Sequence, residues 1–159
     1  MTTLTTETYF TFEADFVDDD VRCIPMIVRF KLDACGIKLK LKEWSKMTVE
    51  ERENLATLPC ESSASISSYR EYLKQIIQYH TGEAATEIPV MQHPTWSVVD
   101  EIPFPIQEKL MEFGWTVSVQ QWKALSDLQR FALLKLSYPG HENRNFPRAI
   151  REFNLLEGL

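Results

Sequence analysis

The chain has 159 residues, 44% of them apolar and 25% charged, with five glycines and a formal net charge of −6 at pH 7. A chain of this length buries roughly two thirds of its unfolded surface, so its core needs neither disulfide nor metal, and the ordinary composition excludes a disordered or low-complexity protein. The acidic balance, with a pI near 5.1, disfavours nucleic acid as a partner, and no apolar run approaches a membrane span or a secretory signal, which makes the cytoplasm the expected compartment and leaves no membrane role.

Residues 1–21 read as an arm. Tyr9-Phe-Thr-Phe12-Glu-Ala-Asp-Phe16 alternates aromatic and polar residues, and with no second strand in view it is expected to lie extended along the helices, since an isolated strand has no ladder. The first helix is bracketed by Pro25, whose missing N–H costs nothing in a first turn, and by Gly36, suited to the positive φ of a helix end. Ile37-Lys-Leu39-Lys-Leu41 alternates like a strand; it is expected to begin extended and to close one short helical turn near Trp44. Thr48-Val-Glu-Glu51 is a capping box, with the hydroxyl at N-cap and the carboxylate at N3, so another helix starts there and carries Leu55 and Leu58 on its apolar stripe. A third helix is expected from Ser67 to about Tyr79. Residues 82–101, with Gly82, Pro89 and Pro94 and few periodic apolar positions, read as a connecting loop.

At residue 102 the pattern starts again. Residues 24–59 align without a gap on residues 102–137, an offset of 78, with nine identical pairs that include Pro25/Pro103, Gly36/Gly114, Trp44/Trp122 and Arg52/Arg130. These are the punctuation marks of a helical unit and not a random sample of it. Ser126-Asp-Leu-Gln129 is a second capping box at the matching place, Ser118-Val-Gln-Gln121 is a further one, and Phe146 to about Leu156 is expected to form the last helix. The expected fold class is therefore all-α: a single domain of two pseudo-twofold-related three-helix units, residues 22–81 and 102–159, with an extended N-terminal arm. A lone unit of this kind leaves an apolar face bare and needs its sister.

No catalytic constellation is visible. His80, His93 and His141 lack ligand spacing, and Asp15, Asp18, Asp19 and Asp20 lack the glycine and distal Glu of a calcium loop. Neither a phosphate-binding glycine loop nor a nucleophile elbow is present, and Cys23 has no neighbouring base to make it a thiolate. Cys23, Cys35 and Cys60 are read as unpaired thiols and no metal or cofactor is expected. Trp44 and Trp122 are read as packing residues because they recur at one position of both units. Residues that the fold requires should appear twice, whereas a residue serving one partner need appear only once.

The units differ most in charge. Residues 22–42 hold six cations and one acid, Asp33, a balance of +5; residues 100–120 hold four acids and one cation, a balance of −3. On a helical wheel Arg22, Met26, Arg29 and Asp33 share one stripe, with Ile24, Ile27, Val28, Leu32 and Cys35 opposite, so the stripe is expected to face solvent. Two readings stand: the acidic arm folds back and neutralises it, or it docks an anionic partner.

The segment Phe12-Glu-Ala-Asp-Phe-Val17, then Arg22-Cys-Ile-Pro-Met26, Arg29, Lys31-Leu-Asp33 and Cys35-Gly-Ile-Lys-Leu-Lys-Leu41 with Trp44, resembles the nitrate reductase associated protein family, best known from cyanobacteria. So does the stretch from Trp122 to Gln129-Arg-Phe-Ala-Leu133, and the resemblance covers residues 9–156. It implies a non-enzymatic accessory factor that binds assimilatory nitrate reductase and helps mature or activate it, with no catalytic residues to carry over. The positions proposed for partner binding are Arg22, Cys23, Met26, Arg29, Asp33, Lys38 and Lys40. Delivery of an anionic pterin-type cofactor through the basic stripe, or a regulatory adaptor role, are the alternatives.

Overall fold

The structure, a computed structural model, describes residues 8–17, 20–139 and 144–156, without the side chains of Asp15 and Phe16. It is mostly helical, an all-α fold with one two-stranded sheet among the described residues. The chain divides into two compact units, Met1–Met91 and Gln92–Leu159.

In the first unit, α2 (Met26–Cys35) opens after an extended Pro25 and closes at Gly36, whose N–H donates to Leu32 O at 2.9 Å. Glycine is required there twice over. Its φ is +73°, and an added Cβ would stand 2.8 Å from the Ile88 carbonyl oxygen. The neighbour arises because β1 (Ile37–Lys38) pairs antiparallel with β2 (Thr86–Glu87), a strand inside the stretch that the sequence marks only as loop. The Arg70 guanidinium ties this corner by donating to Cys35 O at 2.6 Å and pairing with the Glu87 carboxylate. Next comes α3 (Leu41–Lys46), which runs two residues beyond Trp44, and then α4 (Val49–Thr57), opened by the Thr48–Glu51 box. Last is α5 (Ser63–Thr81). It begins four residues before Ser67, because Ser62 and Ser65 form a box of their own and any serine of this run has the chemistry of a cap. Both α4 and α5 pack on α2, and α3 packs on α5, around Val28, Leu32, Trp44, Leu55, Tyr69 and Leu73.

The arm is not extended. Thr11–Glu13 form a 3-10 turn that leads into the single turn α1 (Ala14–Val17). A tertiary contact sets this. Glu13 is 2% exposed, and its carboxylate accepts from Phe10 N at 3.1 Å and from Met26 N at 2.7 Å. It therefore caps α2, whose N-cap proline has no side-chain acceptor, and places a carboxylate at the positive end of the helix dipole.

In the second unit a 3-10 turn at Thr95–Ser97 precedes α6 (Phe104–Glu112), α7 (Val119–Ala124), α8 (Asp127–Ser137) and α9 (Phe146–Glu152). The last helix stops four residues short of Leu156, and Asn154 follows at φ +58°. Here α8 packs on α6, α9 and the 3-10 turn. The helix starts at 26, 41 and 49 recur at 104, 119 and 127, each 78 residues on.

The shared side chains hold matching places. The buried Trp44 indole donates to the Val21 and Arg22 carbonyls at 3.0 and 3.1 Å, and the buried Trp122 indole donates to Val98 O at 3.0 Å. Arg52 reaches Trp44 O, Asp20 O and Ser45 O, while Arg130 reaches Trp96 O, Lys123 O and Leu125 O. Each guanidinium thus ties carbonyls near the end of the short helix, α3 or α7, to one of the segment that precedes α2 or α6.

Candidate functional site

The wheel stripe on α2 divides once side chains are placed. Met26 is 2% exposed and is no surface residue: Glu13 binds its N–H, and the arm lies against the start of the helix. A wheel assigns faces about one axis and is blind to a segment that returns to cover one of them. Arg29 is half-buried, and its Nε donates to Ile24 O at 3.0 Å. Gln107, 78 residues on, makes the same contact to Ile102 O at 2.6 Å, so this use of Arg29 belongs to the framework.

Arg22 and Asp33 are exposed, and Cys23 is a half-buried thiol. Neither Arg22, Arg29 nor Asp33 is without a partner. Of the acidic arm, Glu7, Asp18, Asp19 and the Asp15 side chain lie outside the described residues. Lys31, part of the +5 balance, is removed from the surface chemistry: its amine donates to Ala56 O at 2.8 Å and Leu58 O at 2.6 Å, closing the end of α4. Burial holds that amine below the ordinary lysine pKa.

Three lysines remain in the open. Lys38 stands on β1 opposite in phase to the buried Ile37, Lys40 is the N-cap of α3 through its backbone, and Lys42 follows on α3. All three are exposed, and none has an ion pair among the described residues. Leu41, between two of them, is 65% exposed. This stretch is basic, with Leu41 as its exposed large apolar side chain.

Other chemistry is scarce. Burial pushes the Cys35 thiol up to about 11 and raises Cys60 as well, so both stay protonated at neutral pH. Among the described residues no group of three or more His, Cys, Asp or Glu is placed to hold a metal, and His141 lies outside them. Among the described residues no helix is long and apolar enough to cross a membrane.

A feature of the second unit escaped the sequence reading. A cavity of about 370 Å³ lies beside α6, with Ile102, Leu110, Met111, Trp115, Val117 and Val119 as its apolar lining and Glu101 as its one ionisable residue. Its signal was present in the aligned positions: Met111 stands where the first unit has Asp33, and exposed Phe104 where it has buried Met26.

Sequence comparison adds one positive finding. The family described as conserved nitrate reductase-associated protein matches residues 9–153. No curated protein and no solved structure matches the chain.

Proposed function

The chain belongs to the conserved nitrate reductase-associated protein family, and from that premise we propose that it is a non-enzymatic accessory factor that docks on assimilatory nitrate reductase in the cytoplasm and helps bring it to its active form. The family is described by association with the reductase and not by a reaction of its own. The observation that carries the reading is the run of exposed amines at Lys38, Lys40 and Lys42, which have no ion pair among the described residues. Such charges raise association rate and specificity more than affinity, as a transient maturation encounter demands. Arg22, Cys23, Arg29 and Asp33 remain candidates for the same docking role, with Arg29 also engaged by Ile24 O. Met26 is withdrawn from it.

Delivery of a pterin phosphate gains no support from the cavity of the second unit, whose one ionisable lining residue is the acid Glu101. The test is capture: tagged protein is incubated with apo-reductase and with holo-reductase at low and high salt. Retention of the reductase that falls as salt rises is expected, because surface electrostatics are screened over about 10 Å at 0.1 M. Equal failure to retain either form at low salt contradicts the docking role, and reductase activity restored by the protein's bound pterin alone favours the carrier.

A further inference from the structure

We propose that the second unit carries a docking groove for a basic amphipathic helix of a protein partner, seated along α6 with one apolar side chain in the cavity beside Met111. The groove lies outside the lysine surface of the first unit and does not depend on it.

Geometry gives the groove its length. Phe104 and Met111 are seven residues apart on α6, two helical turns and about 10 Å along one face. They are 69% and 76% exposed, and Phe113 and Val119 are exposed as well. The cavity of about 370 Å³ borders Met111 and Val119, which is room for an inserted side chain. Large apolar side chains held in water around a concave site mark an interaction surface. Nothing in the helical framework demands them: at the matching positions of the first unit Met26 is buried, and Asp33 stands in place of Met111.

Charge selects the occupant. Asp100, Glu101 and Glu108 are exposed without an ion pair among the described residues. Two cations of this unit are engaged, Lys109 with Glu112 at 3.1 Å and Arg151 over the Trp115 ring at 5.5 Å from its centroid. A helix with apolar residues at i, i+3, i+4 and i+7 and Lys or Arg beside them satisfies both the apolar and the electrostatic demands. An acidic segment or an anionic lipid surface is repelled. The Lys38–Lys42 surface of a second copy has the right charge but only one exposed apolar residue, Leu41, and no helical spacing.

The probe is a fluorescein-labelled peptide of about 14 residues with Leu at that helical spacing and Lys elsewhere, titrated with the full chain and followed by anisotropy. Saturable binding is expected, with no binding of a scrambled peptide of the same composition. Met111→Lys and, separately, Glu101→Lys with Glu108→Lys are expected to weaken binding about tenfold, the loss typical of a contact at the centre of an interface. Met111 is exposed, so its replacement leaves the helical circular dichroism unchanged. Binding that is indifferent to Met111→Lys, or equal binding of the scrambled peptide, overturns the groove. A dimer in sedimentation that Met111→Lys dissolves assigns the face to a second copy and overturns the partner helix.

Discussion

The two units share their punctuation and differ in their coverings. Both open the first helix after proline and close it around a glycine of positive φ, at Gly36 and Gly114. Both then place a tryptophan indole on a loop carbonyl and open the following helix with a reciprocal box, Thr48–Glu51 or Ser126–Gln129. Yet the start of α2 is capped and covered by the arm through Glu13, whereas the start of α6 has no side-chain cap and leaves Phe104 in water. Positions held in common are those that local folding requires. Positions that differ, such as Lys38 against Thr116 or Asp33 against Met111, are not fixed by that requirement.

The most damaging change should be equally damaging in either unit. Trp44→Ala and Trp122→Ala each remove a fully buried ring and its hydrogen bond, and each is expected to cost about 3–5 kcal/mol, read from urea midpoints. A penalty near zero for one of them breaks the equivalence.

Glycine is where the units should part. Gly114 has a positive φ but open space around it, so Gly114→Ala is expected to cost about 1 kcal/mol. At Gly36 the same methyl also meets Ile88 O and Val90 Cγ2, so Gly36→Ala should cost clearly more and loosen the β1–β2 corner, seen as faster amide exchange at Ile88. Equal penalties would mean that the β2 strand gives way freely.

The smallest effect lies in the boxes. Partial burial acts to raise the Glu51 pKa, but hydrogen bonds from the Thr48 backbone and from His80, with the charge of His80, outweigh it and hold the carboxyl below its ordinary value of 4.5. A carboxyl that ionises more readily when folded stabilises fully above the unfolded value and loses that contribution as pH falls through the folded one. Gln129 cannot titrate. Glu51→Gln should therefore lower the melting temperature near pH 7 and flatten its acid dependence below 4.5. Identical pH profiles for wild type and variant contradict the assignment.

How far the sequence reached follows from the range of the forces involved. Caps, prolines and glycines act within four residues, so the boxes at Thr48, Ser118 and Ser126 and the helix end at Gly36 were legible. The arm misled because Tyr9, Phe10, Phe12 and Phe16 have the alternation of a strand, while its turn is set by Glu13 reaching a helix 13 residues away. β2 was hidden because two residues carry no period, and the pairing that makes them a strand comes from Ile37 and Lys38. Of the stripe expected in solvent, Arg22 and Asp33 are exposed and Arg29 is half-buried. Met26 is buried, and its N–H is bound by Glu13 of the arm, a contact that no wheel contains. The groove on α6 was readable only by asking where the second unit is more apolar than the first.

The docking surface is tested most directly by reversing charge where no framework contact is lost. Lys38→Glu with Lys40→Glu leaves Arg29 and its bond to Ile24 intact and is expected to shift stability by no more than about 0.5 kcal/mol. Introduced into cells lacking the native protein, the folded double variant should fail to raise nitrate reductase activity to the level that the wild-type chain restores. Full restoration by the variant, at equal protein level, contradicts docking through this surface.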